Sequence, residues 1–132
     1  MNTSVFEASD NLAIAESYYN AMLAKDFDKM ADYLHDNVHF IGPLAEMHGK
    51  DAVVGAAKNF GGILQDIKIR SRFAAGNQIM FVYDMVVPAP IGKFRAAVMM
   101  EFADALISKI ELFYDALPFQ EKKSDIFKND SK

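Results

Sequence analysis

The stretch Gly92–Asp115, GKFRAAVMMEFADALISKIELFYD, constrains this chain more than any other. Its residues alternate as two strands joined by the short loop Ala103-Asp104-Ala105. With Phe102 opposite Leu106, Met100 faces Ser108, Val98 faces Ile110, Ala96 faces Leu112 and Phe94 faces Tyr114, so one side of the hairpin is almost wholly apolar. The other side carries Arg95, Glu101, Lys109, Glu111 and Asp115, interrupted by Ala97, Met99 and Phe113. Side chains alternate with a period of two, so a slip of one residue would invert both sides, and sorting this clean specifies a two-sided antiparallel sheet. Its apolar side then requires a covering layer.

The chain ahead of the hairpin supplies more sheet and the cover. Asp66–Ala74 and Gln78–Val87 alternate again around a turn at Ala75-Gly76-Asn77. In the first, Ile67, Ile69 and Phe73 share one face, with Lys68, Arg70 and Arg72 on the other; in the second, Ile79, Phe81, Tyr83 and Met85 oppose Met80, Val82, Asp84 and Val86. Upstream the period becomes helical. Leu12, Ala15, Tyr19 and Met22, with Ile14, Tyr18 and Ala21 beside them, make a wide apolar arc on a helix from about Asp10 to Ala24, which turns at least one of Tyr18 and Tyr19 inward.

Asp26 is placed to cap a second helix, Phe27 to about Leu34. Val38–Ile41 reads as a short strand stopped by Gly42-Pro43, and Lys50 to about Phe60 as a third helix ended by Gly61-Gly62. Residues 1–9 read as a leader and residues 120–132 as a polar, disordered tail, leaving one domain over residues 10–119. Helices clustered before a strand meander predict an α+β fold, a cone-shaped curved antiparallel sheet wrapped around three N-terminal helices.

Composition narrows the function classes. A hydrophobic fraction of 52% in 132 residues calls for an unusually apolar interior, a subunit interface, or both. The formal charge of −4 argues against sequence-independent nucleic-acid binding, and zero cysteines exclude a disulfide framework and thiolate chemistry. The N-terminus MNTSVFEASD lacks a basic-then-apolar signal pattern and the apolar runs are too short to span a bilayer, so a cytoplasmic location without membrane contact is expected. There is no nucleophile elbow, P-loop, dinucleotide fingerprint or HExxH, and no cofactor is expected. His35 and His39 are four residues apart, but the predicted helix ends between them and no metal site is expected.

The segment Tyr18–Pro43, YYNAMLAKDFDKMADYLHDNVHFIGP, resembles the opening of the nuclear transport factor 2-like superfamily, in particular its SnoaL-like and ketosteroid-isomerase-like branches. The step His48-Gly49-Lys50-Asp51 and the closing strand LISKIELFYD resemble it too, so the likeness spans about Asp10 to Asp115. It implies the same cone-shaped (cystatin-like) fold, on which isomerases, cyclases, dehydratases, hydrolases and non-catalytic binders all occur. Tyr18 falls where the isomerases place an oxyanion donor, whereas their general-base aspartate falls on Gly42 and their second donor on Val98. Without those carboxylates, steroid-type isomerisation is not expected.

Folding the apolar faces inward predicts a cavity lined by Tyr18, Met22, Val38, Phe40, Phe60, Phe81, Tyr83, Met85, Phe94, Val98, Met100, Ile110, Leu112 and Tyr114. Such a lining suits a small apolar or aromatic ligand, with Tyr18, Tyr83 and Tyr114 as donors; the resemblance implies a place at the cavity mouth for His48, the one imidazole that could serve there as acid or base. The alternative is that these side chains simply fill the cone. On the outer face Ala97, Met99 and Phe113 predict a homodimer contact, and a non-catalytic dimerisation or interaction module is the rival function.

Overall fold

A computed structural model describes residues 3–120. The elements run α1 (Thr3–Leu23), α2 (Phe27–Asp32), β1 (Leu34–Ile41), β2 (Glu46–His48), α3 (Lys50–Ile63), β3 (Asp66–Ala75), β4 (Gln78–Val86), β5 (Lys93–Ala103), β6 (Leu106–Tyr114) and a short α4 (Leu117–Gln120). The six strands form one curved, unclosed sheet in the order β2-β1-β6-β5-β4-β3. Helices α1 and α3 pack against it, α1 on β3 and β4 and α3 on β1 and β2. The α+β architecture expected from the element order is present, with three differences: β1 runs parallel to β6, so the sheet is mixed; Glu46–His48 adds an edge strand; and Leu117–Gln120 adds a short helix. Helix α1 begins at Thr3 and takes up most of the expected leader. The expected polar tail, apart from Gln120, lies outside the described residues.

Local chemistry explains the helix boundaries. Lys25 adopts a left-handed conformation (φ 64). That geometry lets its N–H donate to Met22 O at 3.1 Å while Asp26 N–H donates to Ala21 O at 2.9 Å, the paired bonds that close a helix C-terminus. The Lys25 ammonium then donates to the carbonyls of Gly61 and Leu64, binding the α1–α2 corner to the end of α3. Asp26 caps α2 as expected, its carboxylate accepting from Lys29 N–H at 3.2 Å.

The Gly61-Gly62 pair does not end α3, which continues to Ile63. A Cβ on Gly61 would lie 2.7 Å from Phe27 Cε1 and 2.9 Å from Met22 Cγ, so the bare backbone is what allows α3 to close on α1 and α2. Its expected role as a terminator is corrected to one of packing.

In the β5–β6 hairpin, Asp104 and Ala105 both have positive φ (57 and 62) and form a two-residue turn that pairs Ala103 with Leu106 and Phe102 with Ile107. Ser108 is then an extra residue on β6, beyond which Met100 pairs with Ile110, Val98 with Leu112 and Ala96 with Tyr114. Along most of the hairpin the expected pairs are displaced by two residues, which leaves every side chain on its expected face. Only beside the turn does a face change: Ile107, not Leu106, is buried next to Phe102.

A second irregularity, at Arg70 in β3, has a larger effect. Beyond it Arg72 pairs with Phe81 on the concave face and its guanidinium reaches Glu16 of α1 at 2.6 Å. Phe73 moves to the convex face beside Met80. Both residues therefore reverse the alternation expected of β3, because one inserted residue inverts the phase of everything after it.

Candidate functional site

The concave face has two parts. Toward the β5–β6 turn, Ile79, Phe81, Val98, Met100 and Ile107 are buried to 1% exposure or less and fill the interior. Toward the other end, Tyr83 pairs with Ala96 and Ala96 with Tyr114. Small side chains there, Ala96 on β5 and Ala56 and Ala57 on α3, border a cavity of about 70 Å³. Tyr18, Tyr19 and Met22 of α1 form one wall, Phe40 of β1 and Met47 of β2 another, and Phe60, Tyr83, Met85, Phe94, Ile110, Leu112 and Tyr114 the rest. The β1–β2 connection contributes Gly42, Leu44 and Ala45. Phe119 of α4 lines the cavity as well; it is buried, edge-on to Phe94 (4.9 Å between ring centroids) and to Tyr114 (5.1 Å).

Phenols are the polar groups of this site. Tyr19 and Tyr83 share a hydrogen bond of 2.9 Å between their hydroxyl oxygens, and Tyr18 stands edge-on to Tyr19 at 5.2 Å. Burial raises the Tyr18 pKa well above 10.0, and the neighbouring Tyr19 adds to the shift. Tyr19 is raised by burial and then by Tyr83. Tyr83 is raised by burial, an effect its bond to Tyr19 offsets only in part. Tyr114 is raised by its partial burial. All four are thus neutral donors at physiological pH, because a phenolate in this apolar setting lacks the solvation that would stabilise its charge.

Of the expected site residues, Tyr18, Met22, Phe40, Phe60, Tyr83, Met85, Leu112 and Tyr114 line the cavity. Val38, Phe81, Val98 and Met100 do not; Val38 is fully buried on β1, and the other three lie in the filled part of the concave face, where Tyr19 leans over Phe81 at 6.4 Å. His48 is placed elsewhere altogether. Its side chain is 74% exposed on β2 and stacks on His39, so it offers no imidazole to the cavity. At Gly42 a Cβ would sit 3.0 Å from the Phe40 ring, so that ring occupies the space a carboxylate side chain would need. Several contributors escaped the sequence reading, among them Leu44, Ala45 and Met47 around β2, Ala56 and Ala57 on α3, and Ala96 and Phe119. Ala96 is invisible to a search for large side chains, and Phe119, the last residue of the expected domain, was given no element, although Pro118 in the first turn of a short helix was a usable signal.

A family profile for the SnoaL-like domain matches residues 15–110. The chain belongs to the SnoaL-like domain family. This SnoaL-like domain is similar in structure to a protein from Kribbella flavida (TM-score 0.78, 23% identity, covering 86% of this chain and 93% of that one). It is also similar to a steroid delta-isomerase from Pseudomonas aeruginosa (TM-score 0.74, 15% identity, 89% of each chain) and to an LEH-like epoxide hydrolase from M. tuberculosis (TM-score 0.72, 17% identity, 92% of each chain). At these identities the likeness is one of fold. No curated protein matches this SnoaL-like domain in sequence. Among its described residues no helix is long and apolar enough to cross a membrane.

Proposed function

We propose that this SnoaL-like domain binds a small apolar or aromatic molecule bearing an oxygen acceptor, held between α1 and the open end of the sheet. The reading is carried by one arrangement: an apolar cavity whose polar groups are buried, neutral phenols. No carboxylate or imidazole lines the cavity among the described residues. Tyr18, and whichever of Tyr19 and Tyr83 accepts in their shared bond, can therefore donate to a carbonyl, or to an oxyanion developing on it, but none can abstract a proton at neutral pH. Binding comes first in this reading, and any cofactor-free isomerisation, cyclisation or dehydration has to draw its base from the ligand or from water. An isomerase and an epoxide hydrolase on similar folds support a small organic ligand without specifying a reaction.

Size adds a condition. A cavity of about 150 Å³ accepts benzene. At about 70 Å³ this one admits a ring only when a lining side chain withdraws, and Phe119, carried on the four-residue α4, is the one we propose. Ligand-observed NMR with phenol- and ketone-bearing aromatic fragments tests both points. Phe119→Ala is expected to tighten binding about tenfold, and Tyr83→Phe to weaken oxygen-bearing fragments about tenfold while leaving plain hydrocarbons unchanged. Silence of the wild type and of Phe119→Ala toward the whole set would reject the reading.

A second reading concerns the convex face. The strand register puts Val82, Ala97 and Phe113 in one row and Met80 beside Met99 in the next, with Phe73 beyond. Phe113 and Phe73 are 47% and 59% exposed, which makes the patch apolar where it meets solvent. We infer homodimerisation through Ala97, Met99 and Phe113, which also suits a non-catalytic interaction module. A mass by light scattering that stays monomeric at all concentrations would reject it.

A further inference from the structure

The three-residue strand β2 brings together two imidazoles that the sequence keeps apart. His39 pairs directly with His48 in the antiparallel β1–β2 ladder, and Glu46 lies two residues along β2, on the same face. The two rings stack 4.1 Å apart and within 13° of parallel. Glu46 Oε2 lies 2.7 Å from His39 Nε2 and 4.0 Å from His48 Nε2. One donor atom from each of the three residues falls within 4.8 Å of the others.

We propose that His39, His48 and Glu46 form a binding site for a divalent transition cation of the zinc class, with the remaining position open to water. Two imidazoles and a carboxylate are a donor set that suits zinc, which binds nitrogen at about 2.0–2.1 Å and carboxylate oxygen at about 2.0–2.2 Å. Magnesium and calcium prefer oxygen ligands and would find a single carboxylate here. The three side chains are exposed or half-buried, so drawing the donor atoms inward by rotation moves no core residue. On the adjacent strand Lys109 pairs with His39 and Glu111 with Ile41, and these opposite charges cancel, which leaves Glu46 to offset the cation.

A bound cation would clamp the short edge strand β2 to β1. The reverse face of the same two strands carries Phe40 and Met47, which line the cavity, and their connection carries Gly42, Leu44 and Ala45, which line it too. The clamp would thus stiffen one wall of the candidate site without touching its contents.

The chain has three histidines and no cysteine, so a small set of variants covers its strong zinc donors. Calorimetric titration of the tag-free chain with zinc chloride is expected to show one ion per chain. His39→Ala and His48→Ala are each expected to weaken it at least about tenfold. His35→Ala, which alters the histidine beside Asp104 (3.6 Å), is expected to bind as the wild type does. In the wild type, zinc is expected to shift the His39 and His48 ring resonances and spare those of His35, a readout that needs no variant. Absence of saturable binding up to about 1 mM zinc, ring resonances that do not move, or wild-type affinity in either His39→Ala or His48→Ala would each overturn the proposal.

Discussion

On the concave face of the sheet Tyr83 lies between Ile69 and Ala96, fully buried, with its hydroxyl bonded to Tyr19. One residue earlier, on the convex face, Val82 lies between Ser71 and Ala97 in a row that ends at exposed Phe113. The next convex position, Asp84, meets Arg70 at 3.3 Å and Lys93 at 3.8 Å. The same strand thus carries neutral donors inside and ions outside. Burial selects that difference, since an unpaired charge in the cavity would cost several kcal/mol and a phenol satisfied by another phenol costs little. Neutral donors in an apolar cavity suit a neutral ligand; apolar and charged groups on a solvated face suit partners and cations.

The largest test of this contrast is truncation on each face. Phe81→Ala, at a position with 0% exposure, is expected to cost about 3–5 kcal/mol of folding stability in urea unfolding. Phe113→Ala is expected to change the unfolding of the monomer by no more than about 0.5 kcal/mol, its effect appearing as a weaker dimer in light scattering. Equal costs at low protein concentration would break the comparison, by showing that the convex face is covered within one chain.

The next effect comes from pH. Tyr18, Tyr19 and Tyr83 have folded-state pKa values raised above the 10.0 they take when unfolded. Their contribution to stability is complete below pH 10. Above it the unfolded chain ionises while the folded chain cannot, so the unfolded state binds fewer protons and stability falls with rising pH. Each such phenol contributes about 1.4 kcal/mol per pH unit to the decline. The part of the phenolate absorbance removed by Tyr18→Phe, Tyr19→Phe or Tyr83→Phe is expected to rise together with loss of folded circular dichroism. That part appearing while the fold is intact would mean that water reaches the cavity.

How much of this was legible depended on whether the signal was local. Asp26 capped α2 as read, because a cap needs only the next three residues. Away from the turn, the faces of β5 and β6 were read correctly from a register wrong by two residues, since an even error preserves alternation. An odd insertion does not, and Arg70 reversed Arg72 and Phe73 with nothing in the local pattern to mark it. Gly61 carries no sign of which side chains approach it; Phe27 and Met22 do so only once α3 meets the α1–α2 corner. The cavity walls on α1, β4 and β6 were visible as large inward residues. Ala96 and Phe119 were not, because one acts by its smallness and the other by the path of the chain after β6. The meeting of His39 with His48 depends on β2, too short to show a period.

The smallest expected effect tests the bulge. Arg72 Nη2 lies 2.6 Å from Glu16 Oε2, with side chains 44% and 36% exposed. An ion pair this accessible is screened, so a double-mutant cycle with Glu16→Gln and Arg72→Gln is expected to give a coupling of only about 0.2–1 kcal/mol, smaller still in high salt. The sign and partner matter more than the size. If Arg72 followed the plain alternation of β3 it would stand on the convex face with Lys68, beyond reach of α1, and its coupling to Glu16 would vanish. A measurable coupling at low salt therefore places Arg70 as the inserted residue and Phe73 on the convex face. Zero coupling would return Phe73 to the concave side and shorten the apolar row through which dimerisation is proposed.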